Sequence, residues 1–383
     1  MKHLIMATTV LGTASTGAFA GGIDRSGTPI DIIFETGNYA TLSYGHADPS
    51  ITGIDEGPAG ARVRNIADSF GIVGAALKLD VSENVALAFI LDQPYGVDVE
   101  YGPESDMLGD TLADADSYGI TTLVRYKATD RFSVYGGPRF VRAEGQINLG
   151  GSAYDVAPGG VGFDGYESNY ASDTGTGYVV GAAYEIPDIA FRAALTYHSE
   201  IDLSFQTIET FPASAAPIPE VTVPTGVPLS TGVTKSTLPQ SIKLAVQSGI
   251  ATDTLAFGSI RWVDHEEFSI IPPGLQSNLA ALKNSVTYEL GIGRRFTERF
   301  SARTSVIYED VSGGDLVSPL KPVKGFTALS IGGQYQLTEI LDISGGFRYT
   351  WLEDARAAPN DVVAADFRNN DALSFGIELG LRF

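Results

Sequence analysis

The last thirteen residues, DALSFGIELGLRF, alternate between apolar positions and polar or small ones. From Leu373 the odd positions read Leu, Phe, Ile, Leu, Leu, Phe, and between them stand Ser, Gly, Glu, Gly and Arg. Strict period-two alternation predicts a strand with one wholly apolar face. The pattern recurs upstream. Tyr178, Val180, Ala182, Tyr184 and Ile186 alternate with Gly181, Ala183 and Glu185. Leu329, Ile331, Tyr335 and Leu337 oppose Ser330, Gly332, Gln334 and Gln336, and Leu341, Ile343, Phe347, Tyr349 and Trp351 oppose Asp342, Ser344, Gly346 and Arg348. No segment sustains helical spacing, so the chain reads as all-β.

The connections alternate in length. Short polar turns stand at DVSEN, ATDR, IPD, ATDT, FTER and LTEI; long loops are expected near 48–67, 102–115, 150–173, 208–235, 269–282, 312–323 and 354–369. Six turns and seven loops imply fourteen strands with both termini on the short-turn side. That is the arrangement of an antiparallel up-and-down transmembrane β-barrel. Each strand reaches the ~9–11 residues that a tilted membrane-spanning strand needs. A soluble sandwich would turn its polar face outward and use shorter strands. Here the apolar face carries the aromatics, and the opposite face is rich in glycine, serine and charge, as a wet lumen requires. The terminal strand then closes the barrel by pairing with the first.

Composition narrows the setting. The 383 residues carry a formal net charge of −21, which argues against nucleic acid as a partner. Cysteine is absent, which removes disulfides and thiolate metal sites and suits an exported protein. Residues 1–20, MKHLIMATTVLGTASTGAFA, read as a signal peptide, with Lys2, an apolar run from Leu4 to Leu11, and Ala18-Phe19-Ala20 before the cleavage point. Residues 21–36 precede the first strand on the short-turn side and are expected to fold inward as a small hatch, leaving 37–383 for the barrel. No later run approaches the ~20 apolar residues of a membrane helix. The expected location is the outer membrane of a Gram-negative bacterium, among its lipid and lipopolysaccharide. The terminal Phe383 is similar to the aromatic end that such barrels present to the β-barrel assembly machinery.

About eight strands can be filled by side chains, and sixteen to eighteen leave an aqueous channel. Fourteen lies between, so the lumen must hold a plug, a pocket or a narrow pore. Parity turns Arg125, Arg192, Lys243, Lys283, Arg303, Arg348 and Arg382 inward, together with Glu185, Glu289, Glu309 and Glu378. These cations either pair with the carboxylates or hold an anionic head group. Lys283 opens its strand beside the apolar loop IIPPGLQSNLAAL, so Lys283, Arg303, Arg348 and Arg192 are the candidate head-group ligands. The loop 208–235 is stiffened by Pro212, Pro217, Pro219, Pro224 and Pro228. The stretch 100–116 carries Glu100, Glu104, Asp106, Asp110, Asp114 and Asp116 without a basic residue. It is expected to associate weakly with Ca²⁺ or Mg²⁺ without forming a dedicated site. Nothing calls for a cofactor or a metal centre. His198 and Ser199 are strand neighbours and point to opposite faces, so they form no nucleophile–base pair. His265 with Glu266 and Glu267 lacks metal-ligand spacing, and GGPRF and GIGRRF precede no helix. An enzyme is not indicated.

Several stretches, in order, resemble the FadL/TodX family of outer-membrane transporters for long-chain fatty acids and other hydrophobic compounds. They are FETGNYATLSYGHADPSITG, LDQPYGVDVEY, ALTYHSEIDLSF, STLPQSIKLAV, ALKNSVTYELGIG and GGQYQLTEILDISGGFRYTW. The resemblance implies a fourteen-strand barrel with an N-terminal hatch and passive uptake of a hydrophobic small molecule. It also implies that Pro94, Tyr95 and Gly96 form an inward kink in the third strand that opens a lateral gate. The residues agree, since Pro94 cannot donate to the ladder and Gly96 tolerates a bend. A β-branched residue at 96 and a donor at 94 should then regularise the strand and shut the gate. The family's Asn-Pro-Ala hatch motif is missing between Gly21 and Asn38. A short hatch and a charged lumen leave a general diffusion porin as the alternative, and a structural or adhesive barrel as a third reading.

Overall fold

The computed structural model describes residues 23–155, 162–212 and 229–383. The expected signal peptide and most of the proline-rich loop lie outside these residues. Fourteen antiparallel strands pair each with the next: β1 Tyr39–Ser50, β2 Phe70–Asp80, β3 as Val85–Asp92 and Gly96–Glu100, β4 Leu112–Lys127, β5 Phe132–Leu149 and β6 Tyr166–Ile186. They continue as β7 in two pieces (Phe191–His198 and Ile201–Thr210), β8 in two pieces (Leu229–Leu238 and Ser241–Ala251), β9 Thr254–Val263 and β10 Ser285–Arg295. The last four are β11 Phe300–Val311, β12 Phe326–Gln336, β13 Leu341–Leu352 and β14 Asp371–Arg382. β14 pairs with β1 from Tyr39↔Arg382 to Ser50↔Asp371, so the barrel is closed and keeps no free end strand.

Burial follows the alternation with the usual sense inverted. Leu373, Phe375, Ile377, Leu379 and Leu381 are exposed, while Ser374 between them is wholly buried. Exposed aromatics mark both ends of this apolar belt. Tyr118 and Tyr126 on β4, and Phe300 and Tyr308 on β11, stand eight residues apart on one face. At ~3.4 Å per residue that is about 27 Å along the strand. With a tilt of roughly 40° the height between these rings is about 21 Å, most of the ~25 Å apolar band of an outer-membrane barrel.

Three expected loops are shorter than their composition suggests. β4 begins at Leu112, β5 and β6 pair as far as Leu149↔Tyr166, and β7 pairs with β8 out to Thr210↔Leu229. Ladder hydrogen bonds need no apolar face, so glycine- and acid-rich sequence still pairs beyond the membrane. The other loops are not loose. Gly53–Asp55, Arg62–Val63, Leu316–Val317, Ala355–Ala357 and Ala365–Phe367 form a separate five-stranded sheet over the barrel mouth. Buried Asp55 ties this cap to the β3–β4 loop, accepting from the Ser105 hydroxyl (2.7 Å) and the Met107 amide (3.0 Å).

The first described residues lie inside the barrel. Ile30–Phe34 make one 3₁₀ turn whose Ile30, Ile32, Ile33 and Phe34 are buried. Phe34 meets the edge of Tyr135 at 5.4 Å and carries the guanidinium groups of Arg125 and Arg192 at 4.6 and 4.4 Å from its ring. Stacked cations of this kind bury charge against an aromatic face instead of leaving it bare.

Candidate functional site

The third strand is where the wall changes. Asp92 pairs with Gly119 and Gly96 with Asp116, so Gln93, Pro94 and Tyr95 stand opposite Ser117 and Tyr118 alone. Three residues against two is a bulge, and it exchanges the faces of the strand. Before it Phe89 and Leu91 are exposed; within it Tyr95 and after it Val99 are buried. The neighbouring strand loses its partner. β2 pairs with β3 only from Ala75↔Leu91 to Asp80↔Ala86, so Phe70–Gly74 face no β3 ladder, and the Val73 amide turns to the Gln93 side chain instead (2.9 Å).

The freed edge of β3 is taken up by the N-terminal segment. The Arg25 amide donates to the Pro94 carbonyl (2.8 Å) and the Gly96 amide to the Ile23 carbonyl (2.9 Å). Farther out, the Glu100 amide donates to the Ile66 carbonyl (2.8 Å). Backbone groups buried in this way need such partners.

Side chains reinforce the joint. Asp24 accepts from both terminal nitrogens of Arg261, at 2.8 and 3.3 Å, with His265 Nε2 3.7 Å away. Burial alone would raise its pKa, but Arg261 and His265 outweigh burial and hold the Asp24 carboxyl below the usual carboxylate range. Burial pushes His265 itself down to about 4. The Ser26 and Thr28 hydroxyls donate to Asp92 at 2.6 and 2.8 Å, and Arg139 donates to Thr28 Oγ1 and to the Tyr95 hydroxyl.

Two cavities meet at the bulge. One, of about 90 Å³, lies under the cap and is lined by apolar groups including Ile23, Leu203, Phe205, Leu238, Phe268, Ile270 and Leu320. The other, of about 70 Å³, occupies the gap beside Phe70, Asp98 and Val99. Gly96, Val97 and Lys321 line both. Burial pulls the Lys321 ammonium down to about 8, against the opposing pull of Glu309 and Asp24. The part under the cap is thus largely apolar with Lys321 as its cation, the part beside Phe70 adds Arg25 with Asp24, Asp68 and Asp98, and together they run from the cap to the interrupted wall.

The candidate head-group ligands lie elsewhere. Arg192 and Arg303 line a cavity with Asp31, Lys243 and Glu289 on the other side of the N-terminal segment. Arg348 stands close to the same Glu289 and Arg303. That cavity shares Gln247 and Leu255 with a polar vestibule of about 340 Å³ at the short-turn end. Lys283 lies ahead of its strand and not on it. β10 begins only at Ser285, and Lys283 is 55% exposed with Glu266 at 3.5 Å. Parity fixes a face but not a height along the strand, and it says nothing about a residue ahead of the strand. Lys321 and Arg25 went unmarked because they sit in loop and segment without periodicity. The acidic stretch is partly neutralised from a distance, Asp116 by Arg25 (2.8 Å) and Glu104 by Arg64 (3.6 Å). Among the described residues no histidine or carboxylate group is arranged to hold a metal.

Residues 53–381 match the family model of the outer membrane protein transport proteins (OMPP1/FadL/TodX). The chain belongs to the FadL/TodX family. A FadL homologue of Pseudomonas aeruginosa has the same fold, with a TM-score of 0.75 at 15% identity over 97% of this chain and 98% of that one. The toluene transporters TodX of Pseudomonas putida and TbuX of Ralstonia pickettii give TM-scores of 0.66 and 0.63, each at 12% identity over 97% of both chains. Curated proteins gave no match to the sequence. As a member of the FadL/TodX family the protein is an outer-membrane channel for hydrophobic compounds in Gram-negative bacteria, and not an enzyme.

Proposed function

We propose that this FadL/TodX-family channel carries long-chain fatty acids or similar hydrophobic compounds by diffusion down their gradient. The ligand is captured among the cap loops and held in the apolar cavity with its head group toward Lys321. It leaves sideways into the bilayer between β2 and the outer half of β3. The N-terminal segment acts as the hatch that blocks the straight path, and Phe383 is the address for the assembly machinery. One observation supports the route above the others: the apolar cavity reaches the wall where Phe70–Gly74 have no β3 partner.

Cells lacking the protein should lose uptake of a long-chain fatty acid while sugar uptake is unchanged; unaltered uptake of every hydrophobic probe would sink the reading. Rapid, size-dependent swelling of reconstituted liposomes in small sugars would indicate a diffusion porin through the polar vestibule instead. Lys321 adds a pH dependence. Its charge is present below about 8 and is lost as the pH rises through that value. Binding of a fatty acid, followed by titration of the purified barrel, should weaken above pH 8, and binding of the alcohol of equal length should not.

A further inference from the structure

Beside the Gln93 side chain, which meets the Val73 amide, the gap in the wall is crossed by Arg25. Arg25, 5% exposed, pairs with Asp98 on β3 and with Asp116 on β4 (2.8 Å), and its guanidinium lies 4.5 Å from the ring centre of Phe70 on β2. Asp116 shares its face of β4 with Tyr118 and Ile120, both lipid-facing, so the side chain runs from the lumen through the gap to the outer face. We propose that Arg25 is a removable bolt across the lateral exit, and that position 96 is glycine in order to seat it.

Gly96 is not among the residues with positive φ, so the backbone there does not require glycine. What glycine leaves there is space, because a Cβ on Gly96 would fall inside the Arg25 guanidinium, the movable end of its side chain, and displace it. The consequence reverses the sign expected from the sequence. A side chain at 96 expels Arg25 and opens the gap, where regular strand chemistry alone would have it close. A ligand moving from the apolar cavity to the bilayer must displace the same group. Asp98 and Asp116 are part-exposed, so their pairs with Arg25 are weak enough to exchange.

The bolt rests on the lateral-exit reading, and one probe separates the two. The chain has no cysteine, so Val97→Cys places a single thiol on the boundary between the two cavities. In lipid vesicles this thiol is reacted with a maleimide on a long alkyl chain, which approaches only through the bilayer. Arg25→Ala and Gly96→Ala should each speed the reaction by about tenfold, the shift expected when a part-buried ion pair is lost from a closed state. Arg25→Lys, which cannot span both carboxylates with a planar fork, should fall between. Heat-resistant migration identifies folded barrels, and Asp98→Asn serves as the second variant if Arg25→Ala folds poorly. Unchanged labelling in folded Arg25→Ala or Asp98→Asn, or slower labelling in Gly96→Ala, overturns the bolt. Faster labelling with unchanged fatty-acid uptake keeps the bolt and removes the lateral route.

Discussion

Two stretches of the wall place glycine in their ladders and end differently. Across β12, β13 and β14, Gly332 faces Gly346, Gly333 faces Gly345, and Gly346 faces Gly376. The β12–β13 ladder runs without a break from Phe326↔Leu352 to Gln336↔Asp342, and the β13–β14 ladder from Leu341↔Leu381 to Trp351↔Asp371. Around Gly96 the ladder fails. Glycine therefore does not bend this barrel by itself. At β3, Pro94 withholds a donor, and a rival segment offers the freed groups other partners through Asp24↔Tyr95. A bulge survives where the rest of the chain satisfies what it releases.

The strongest way to break the comparison is to remove the rival. Asp24 is almost fully buried against Arg261, and Asp24→Ala leaves that guanidinium without its carboxylate. Losing one partner of a buried pair costs about 3–5 kcal/mol. That cost falls on docking of the N-terminal segment, because the barrel ladders do not include it. Liposomes carrying Asp24→Ala should swell in small polar solutes, and residues near the N-terminus should be cut faster by protease, while the barrel stays heat-resistant. Wild-type swelling together with wild-type cleavage would show that the segment is held by something other than this pair.

The same contrast shows what the sequence could reveal. Strand number, the lipid face and the closing role of β14 were legible because each follows from a local period or a turn length. LDQPYG marked the broken strand, since Pro94 acts on its own neighbours. Arg25 was not legible. Its partners Asp98 and Asp116 are 73 and 91 residues away, and nothing in DRSGTP signals which carboxylates it will meet. The five-stranded cap was hidden for a related reason, as its two- and three-residue strands are too short to show a period. Lumen charges were assigned to the right face at Arg125, Arg192 and Arg303, but their distance from the apolar cavity depends on strand stagger, which parity does not carry.

Within the unbroken wall a side chain should cost stability and leave transport alone. A Cβ on Gly346 would stand 2.7 Å from the Ile331 carbonyl oxygen. Overpacking of this kind costs about 1–3 kcal/mol. Gly346→Val should therefore lower the urea midpoint of the reconstituted barrel without changing the labelling rate of a cysteine at 97. Gly96→Ala should do the reverse, with a faster reaction and a small change in midpoint. If Gly346→Val also speeds labelling, the two stretches are coupled and the gap is a property of the whole wall.

The smallest effect is expected from Pro94→Ala, which restores one backbone donor worth about 0.5–1.5 kcal/mol. The donor returns to a place where its neighbours are already committed. The Pro94 carbonyl accepts from Arg25, and the Ser117 hydroxyl pairs with both the amide and the carbonyl of Tyr95, at 2.8 and 2.7 Å. Erasing the bulge would need a one-residue slip of the outer half of β3. That slip would turn Val97 and Val99 to the lipid side, Asp98 and Glu100 inward, and break the pair between Asp98 and Arg25. One hydrogen bond does not offset so much. Uptake by Pro94→Ala should stay within about twofold of wild type, and labelling at position 97 should be unchanged. Slower labelling with lost uptake would mean that the missing donor, and not the rival segment with its bolt, keeps this side of the barrel open.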